Sequence, residues 1–278
     1  MSASRIKNLI LLILALAVCF LLLAVVPAKQ SARRAETAVH EQLTELVASY
    51  GVTLDEGVLG QSELLYAIEL ENADEQAVVQ ALTGVQMELD SASTRYESRY
   101  TATGCTVTLS RSGVLAAELS ASAGGTKYER DMRRRLKAMD CNIWQVFPAV
   151  RDADGVYTLA IQQSLLGMPV FGSRLTFTYA GQTLRAAAGT FYPESATVTR
   201  VSEDGCISCA DALISLLASR DETGWVGSRI VSMEQGYLHA ETATAALRFV
   251  PVWRIETDTA AFYVNGLTRE IQQAPSER

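Results

Sequence analysis

Short segments in which polar and apolar residues alternate recur along this chain, separated by glycine-bearing turns, and twice the series follows a helix. A period of two places one side chain in each pair on a buried face, so each series predicts a half-buried antiparallel meander. In the first half, Val39, Leu43, Leu46, Val47 and Tyr50 recur at helical steps within Ala35–Tyr50, and Gly51 follows as a C-terminal cap. Leu64–Glu71 then alternates as a strand. A short helix through Ala77, Val78 and Leu82 follows, capped by Asn72 or Asp74 and ended by Gly84. Strands are predicted over Arg95–Thr103, Thr106–Ser110 and Val114–Ser120, with turns at Gly104 and Arg111-Ser112-Gly113.

Ser120–Thr126 is small, polar and glycine-containing, and reads as a linker. Beyond it the plan repeats. A helix over Lys127–Met139 carries Tyr128, Met132, Leu136 and Met139 on one stripe. Strands follow over Trp144–Val150, Tyr157–Leu165, Arg174–Tyr179 and Thr183–Phe191. A helix over Ala210–Ser219 and strands over Ile230–His239, Ala246–Glu256 and Ala261–Val264 close the chain. The expected class is α+β, with two helix-plus-antiparallel-sheet units spanning 28–122 and 127–272 and a flexible tail at 273–278.

Before these units, Leu9–Val26 is an apolar run without charge, glycine or proline. As a helix it spans roughly 27 Å, close to the hydrocarbon thickness of a bilayer. Val26-Pro27-Ala28 suits signal-peptidase cleavage, but an ordinary signal core is about 7–15 residues. The expectation is therefore an uncleaved transmembrane anchor over 9–27, after a short cytoplasmic tail at 1–8. Arg5 and Lys7 precede the run and Lys29, Arg33 and Arg34 follow it, so the positive-inside rule sets no orientation. Ala15 and Cys19 form a small-x-x-x-small step at which such a helix would pack on a partner's.

A net charge of −7 argues against general nucleic-acid binding, which needs a basic face to neutralise phosphates. No cofactor or metal motif is present. The histidines are His40 and His239, with no H-E-x-x-H, nucleophile elbow or phosphate loop around them. Glu69, Glu71, Asp74 and Glu75 read as a solvated face that favours a helix N-terminus. Outside the anchor, Cys105, Cys141, Cys206 and Cys209 allow three complete pairings. Cys206-Ile207-Ser208-Cys209 sits at a helix start, with Ser208 and Asp211 spaced as a capping box, a place where a thiol's pKa is often lowered. No second pair completes a zinc site. Lys127, Arg130, Arg133, Arg134, Arg135 and Lys137 share one helix with only Glu129 and Asp131. That stripe reads either as a solvated face or as the contact for an anionic partner, and Arg133 and Arg134 lie off the apolar stripe.

Gly167-Met168-Pro169-Val170-Phe171, Leu175-Thr176-Phe177 and Gly181 resemble the strand wording of PepSY-like domains, with Cys209-Ala210-Asp211-Ala212-Leu213 as the following helix start. Val250-Pro251-Val252-Trp253-Arg254-Ile255 and Phe262-Tyr263-Val264-Asn265-Gly266 resemble the close of YycI. That family and its sibling YycH are membrane-anchored regulators of the WalK/WalR cell-wall two-component system. The resemblance implies a non-enzymatic extracytoplasmic regulator on a single membrane span. Its partners would be a sensor histidine kinase and a sibling YycH-like protein. A PepSY-type inhibitor or chaperone of an envelope peptidase is the alternative. The matched residues are structural in kind: Pro169 and Pro251 suit strand edges or bulges, and Trp253 suits a sheet–helix core.

Overall fold

The computed structural model describes residues 41–60, 62–71, 73–123, 127–241 and 247–275. In chain order, α1 covers residues 41–49, followed by β1 (Thr53–Leu54), β2 (Ile68–Glu71) and α2 (Glu75–Thr83). Next come β3 (Glu88–Leu89), β4 (Glu97–Ala102), β5 (Cys105–Ser110), β6 (Val114–Ala123) and α3 (Tyr128–Ala138). Then follow β7 (Ile143–Val146), β8 (Val150–Arg151), β9 (Val156–Leu165), β10 (Met168–Phe171), β11 (Leu175–Ala180), β12 (Thr183–Thr190) and β13 (Thr197–Arg200). The last elements are α4 (Cys209–Ala218), α5 (Arg220–Thr223), β14 (Arg229–Ala240), β15 (Leu247–Thr257), β16 (Ala261–Asn265) and β17 (Ile271–Gln273).

Among the described residues, hydrogen bonds join 17 strands into one mixed network with two arms. The first arm is antiparallel throughout, in the order β3-β4-β5-β6-β12-β11-β9, with β7 and β8 on the far side of β9. Its core packs α2 and α3 on one face of the sheet through Val79, Leu82, Met132, Leu136, Phe177 and Tyr179. The second arm is built around β14 and β15. β1 and β10 run parallel to β14 at its two ends, while β2 and β16 share the far edge of β15. α1 and α4 cover it through Val47, Leu213, Leu216, Trp253 and Ile255.

Local chemistry accounts for most of the elements. Asp74 caps α2 by accepting from the Ala77 amide at 3.0 Å, and Gly84 ends it in the left-handed conformation. Ser208 caps α4 in the same way, accepting from the Asp211 amide at 3.1 Å. Leu166 and Gly167 both have positive φ, 52° and 80°, which suits the tight hairpin between β9 and β10. Pro251 sits within central strand β15, where a proline normally breaks a ladder. It is tolerated because β2 pairing ends at Phe249 and β16 pairing begins at Val252. The Pro251 carbonyl accepts from Gly266 at 2.8 Å on that side, which is the side its missing N–H would face.

Three expectations are corrected. The plan of two successive antiparallel units fails because the second arm draws on both ends of the described chain, residues 41–71 and 197–275, and because two of its pairings are parallel. The sequence pattern reports the buried face of the longer strands but not their neighbours. The expected transmembrane anchor is without support here. Among the described residues no helix is long and apolar enough to cross a membrane, and Leu9–Val26, with Ala15 and Cys19, lies outside them. Within Ser120–Thr126, expected as a linker, residues 120–123 instead continue β6, and 124–126 lie outside the described residues.

The arms meet at a third cluster, in which Leu165, Val170, Tyr192, Tyr237 and Phe249 interlock. Gly236 is needed there: a Cβ would lie 2.6 Å from the Pro169 carbonyl oxygen and 2.7 Å from the Phe171 ring. Gly236→Val is expected to cost about 1–3 kcal/mol by overpacking this crossing. A lower denaturant midpoint at unchanged m-value is the signature, and an unshifted midpoint would refute the tight fit.

His239 lies against the Tyr192 and Phe249 rings at centroid distances of 5.8 and 5.6 Å. Burial holds its pKa below the ordinary histidine value, partly offset by Glu241. The folded pKa is depressed, so neutral His239 supports the fold above the unfolded value of about 6.5, and that support is lost as pH falls below it. Thermal midpoints should drop between neutral and mildly acidic pH, and His239→Phe should flatten that slope. An identical slope in the variant would assign the acid sensitivity elsewhere.

Candidate functional site: the α3 face and its groove

α3 buries Met132 and Leu136, and Met139 just beyond its end, in the first-arm core. The opposite face carries Lys127, Arg130, Arg133, Arg134 and Lys137, all exposed, together with the single carboxylate Glu129. Arg133 donates to Glu129 at 2.9 Å, one turn away, with both side chains about half exposed, so this pair contributes little to stability. Arg134 is 71% exposed and reaches back to the Asp131 carboxylate. Both residues singled out in the sequence therefore lie on the surface and on one face.

Asp131 and Arg135 are different. Their side chains are 5% and 6% exposed. Arg135 Nε donates to Asp131 Oδ2 at 2.8 Å, and the Tyr179 hydroxyl donates to the same oxygen at 3.1 Å. Arg135 Nη1 also donates to the Leu82 carbonyl in the last turn of α2. Burial first, and the Asp131 charge second, push the Tyr179 phenol well above its ordinary value, so it stays a donor. The network thus fixes α3 to α2 and to β11 and places a cation where the α2 carbonyls point. The sequence reading put Arg135 with the solvated cations. The missed signal was spacing: residues 128, 132, 135, 136 and 139 trace one helical stripe, with Asp131 beside it, one turn before Arg135.

Where the C-terminal turns of α2 and α3 meet, a groove of 740 Å³ opens beside the basic face. Ala81, Val85, Ala102 and Ala138 give it apolar walls, and Arg134 and Arg135 stand at its edge. A second cleft, of 590 Å³, lies at the junction of the arms between Leu70, Glu71, Glu75, Arg111, Phe191 and Leu247. There Tyr100 donates to Glu75 at 3.2 Å, and burial followed by the Glu75 charge pushes its phenol up to about 12. Of the acidic residues noted in the sequence, Asp74 is the α2 cap, Glu71 and Glu75 line this cleft, and Glu69 pairs with Arg248 in register across β2 and β15.

The other sequence candidates are packing groups. Cys206 and Cys209 are free thiols, and burial raises the pKa of both, the reverse of the lowered value expected at a helix start. Desolvation outweighs the helix dipole because Cys209 is buried in the second-arm core. Trp253 is 2% exposed in the sheet–helix core, as its strand pattern predicts, and donates to the Ile207 carbonyl at 2.9 Å. His40 lies outside the described residues.

No family model matches the chain, and no curated protein matches it in sequence. Among solved structures, it is similar to an uncharacterized protein from Eubacterium rectale ATCC 33656, at 12% identity and a TM-score of 0.42, over 80% of this chain and 85% of that one. It is also similar to the Bacillus megaterium YpeB C-terminal domain, at 8% identity and a TM-score of 0.38, over 74% of this chain and 99% of that one. At such low TM-scores neither likeness carries a fold family or a function over to this chain.

The buried ion pair yields a sharp test. Asp131→Ala removes the carboxylate that neutralises the buried Arg135 guanidinium and should cost about 3–5 kcal/mol, whereas Asp131→Leu with Arg135→Met should fold with much of that restored. Chemical denaturation of the three proteins decides it. Equal losses in single and double variants would show that the pair is not what fixes α3.

Proposed function

We propose that this chain is a non-enzymatic regulatory protein that works by binding another protein outside the cytoplasm, with the α3 face as its contact surface. The single observation that carries the reading is the rigid presentation of five exposed cations by a helix locked through buried Asp131 and Arg135, in a chain whose net charge is −7. A fixed, charged surface of this kind suits selective association. The nucleophile-type side chains Cys141, Cys206 and Cys209 are held as protonated thiols by burial, which fits packing better than chemistry.

The resemblance of Gly167–Phe171, Val250–Ile255 and Phe262–Gly266 to PepSY-like and YycI wording directs the choice of partner to an envelope sensor histidine kinase, with a YycH-like sibling in the same assembly. Regulation would then arise from unequal affinity for two kinase states, since equal binding shifts nothing. The test is kinase autophosphorylation in the presence and absence of the purified protein. A dose-dependent change that Arg133→Glu with Arg134→Glu weakens by about tenfold is expected. An unchanged kinase together with inhibition of a secreted peptidase would replace this reading with the peptidase-inhibitor one.

A further inference from the structure

Along α3 the exposed cations Lys127, Arg130, Arg134 and Lys137 stand at steps of three, four and three residues, a straight row of about 15 Å. The groove at the end of this row has apolar walls at Ala81, Val85, Ala102 and Ala138, and Val85 is 46% exposed within it. The groove lies where the last turns of α2 and α3 come together, at Thr83, Gly84 and Ala138. An anionic group is therefore favoured along the row, while an uncharged apolar group is accepted between the groove walls. One surface thus has two chemically separate subsites, joined at Arg134, which belongs to both.

We infer that the partner segment received here is an acidic stretch of polypeptide carrying an apolar side chain, its carboxylates along the α3 row and its apolar side chain in the groove beside Val85. This rests on the reading of the α3 face as the contact surface and names the chemistry of what meets it. A uniform polyanion satisfies only the row. A polypeptide satisfies both subsites, because acidic and apolar side chains can follow one another along it at this spacing. Arg135 ties the two helices together beside the groove: its guanidinium donates to the Leu82 carbonyl of α2 and to Asp131 of α3.

The experiment measures binding of a fluorescent oligoglutamate peptide with one central leucine to the purified protein, at low and physiological ionic strength. The comparators are the same peptide with serine for leucine, a lysine-for-glutamate version, and inorganic polyphosphate. The leucine peptide should bind about tenfold more tightly than the serine peptide, and the lysine peptide should not bind. The combined change Arg130→Gln, Arg134→Gln and Lys137→Gln should weaken binding about tenfold and flatten its salt dependence. Val85→Ser should erase the leucine preference and leave the salt dependence intact. Circular dichroism melts verify that both variants stay folded. Polyphosphate binding equal to the peptide's, with no leucine preference, would overturn the inference, as would failure of the wild-type protein to bind the acidic peptide. If the peptide binds as described but the kinase is unaffected, the regulatory assignment fails and this site stands. If the kinase responds but the peptide does not bind, the reverse holds.

Discussion

β10 belongs to both arms at once. It pairs antiparallel with β9 through Met168 and Pro169, then parallel with β14 through Val170 and Phe171. Four residues therefore carry the junction of two sheets, and each face must be filled correctly. Gln163, fully buried on β9, reinforces the crossing: its side-chain oxygen accepts from the Tyr192 amide at 3.0 Å, and its side-chain nitrogen donates to the Thr190 carbonyl. A buried amide satisfied in this way is costly to disturb, and it fixes where β12 leaves the first arm. Gly236 then allows β10 to approach β14 closely enough to pair.

The phrases that carry the family resemblance gather in this region. Gly167–Phe171 is the crossing hairpin, and Val250–Ile255 and Phe262–Gly266 are the neighbouring strands β15 and β16. Their residues are mostly buried, and their physical content is architectural: a tight turn, a proline at a gap in pairing, and a tryptophan under a helix. The chemistry left to the solvent is elsewhere, on α3 and in the clefts. That separation leaves these phrases in the core and the chemistry of contact on the surface.

Much of the secondary structure was legible in the sequence because its causes are local. Asp74 and Gly84 mark α2, Ser208 marks α4, and the alternation Leu175, Phe177, Tyr179 marks β11. What was not legible depended on pairs distant in sequence. The short strands β1, β3, β10, β13 and β17 have too few residues for a period; β1 exists as a strand through its parallel pairing with β14, and β10 through its pairing with both β9 and β14. For the candidate site, Arg133 and Arg134 were readable from their position off the apolar stripe. The spacing of Arg135 on the apolar stripe hinted at its burial, but its partner was not readable, because the α2 carbonyl that receives it is 53 residues away.

The second arm has a temporal consequence. Thr53 pairs with Ser228 across 175 residues, and β2 pairs with both β13 and β15, so the amino-terminal strands wait for partners that a ribosome makes last. The first arm is continuous from α2 to β12, and its strand, helix and core partners are present once Tyr192 has emerged. During synthesis, then, residues 41–71 are a tail with an unfilled sheet edge while the rest of the emerged chain is already able to close. Long-range pairing of this kind is slow, because loop closure precedes the contacts that reward it. The alternating apolar residues of β2 are exposed for that interval, which makes the nascent chain more vulnerable to misassembly than the finished fold.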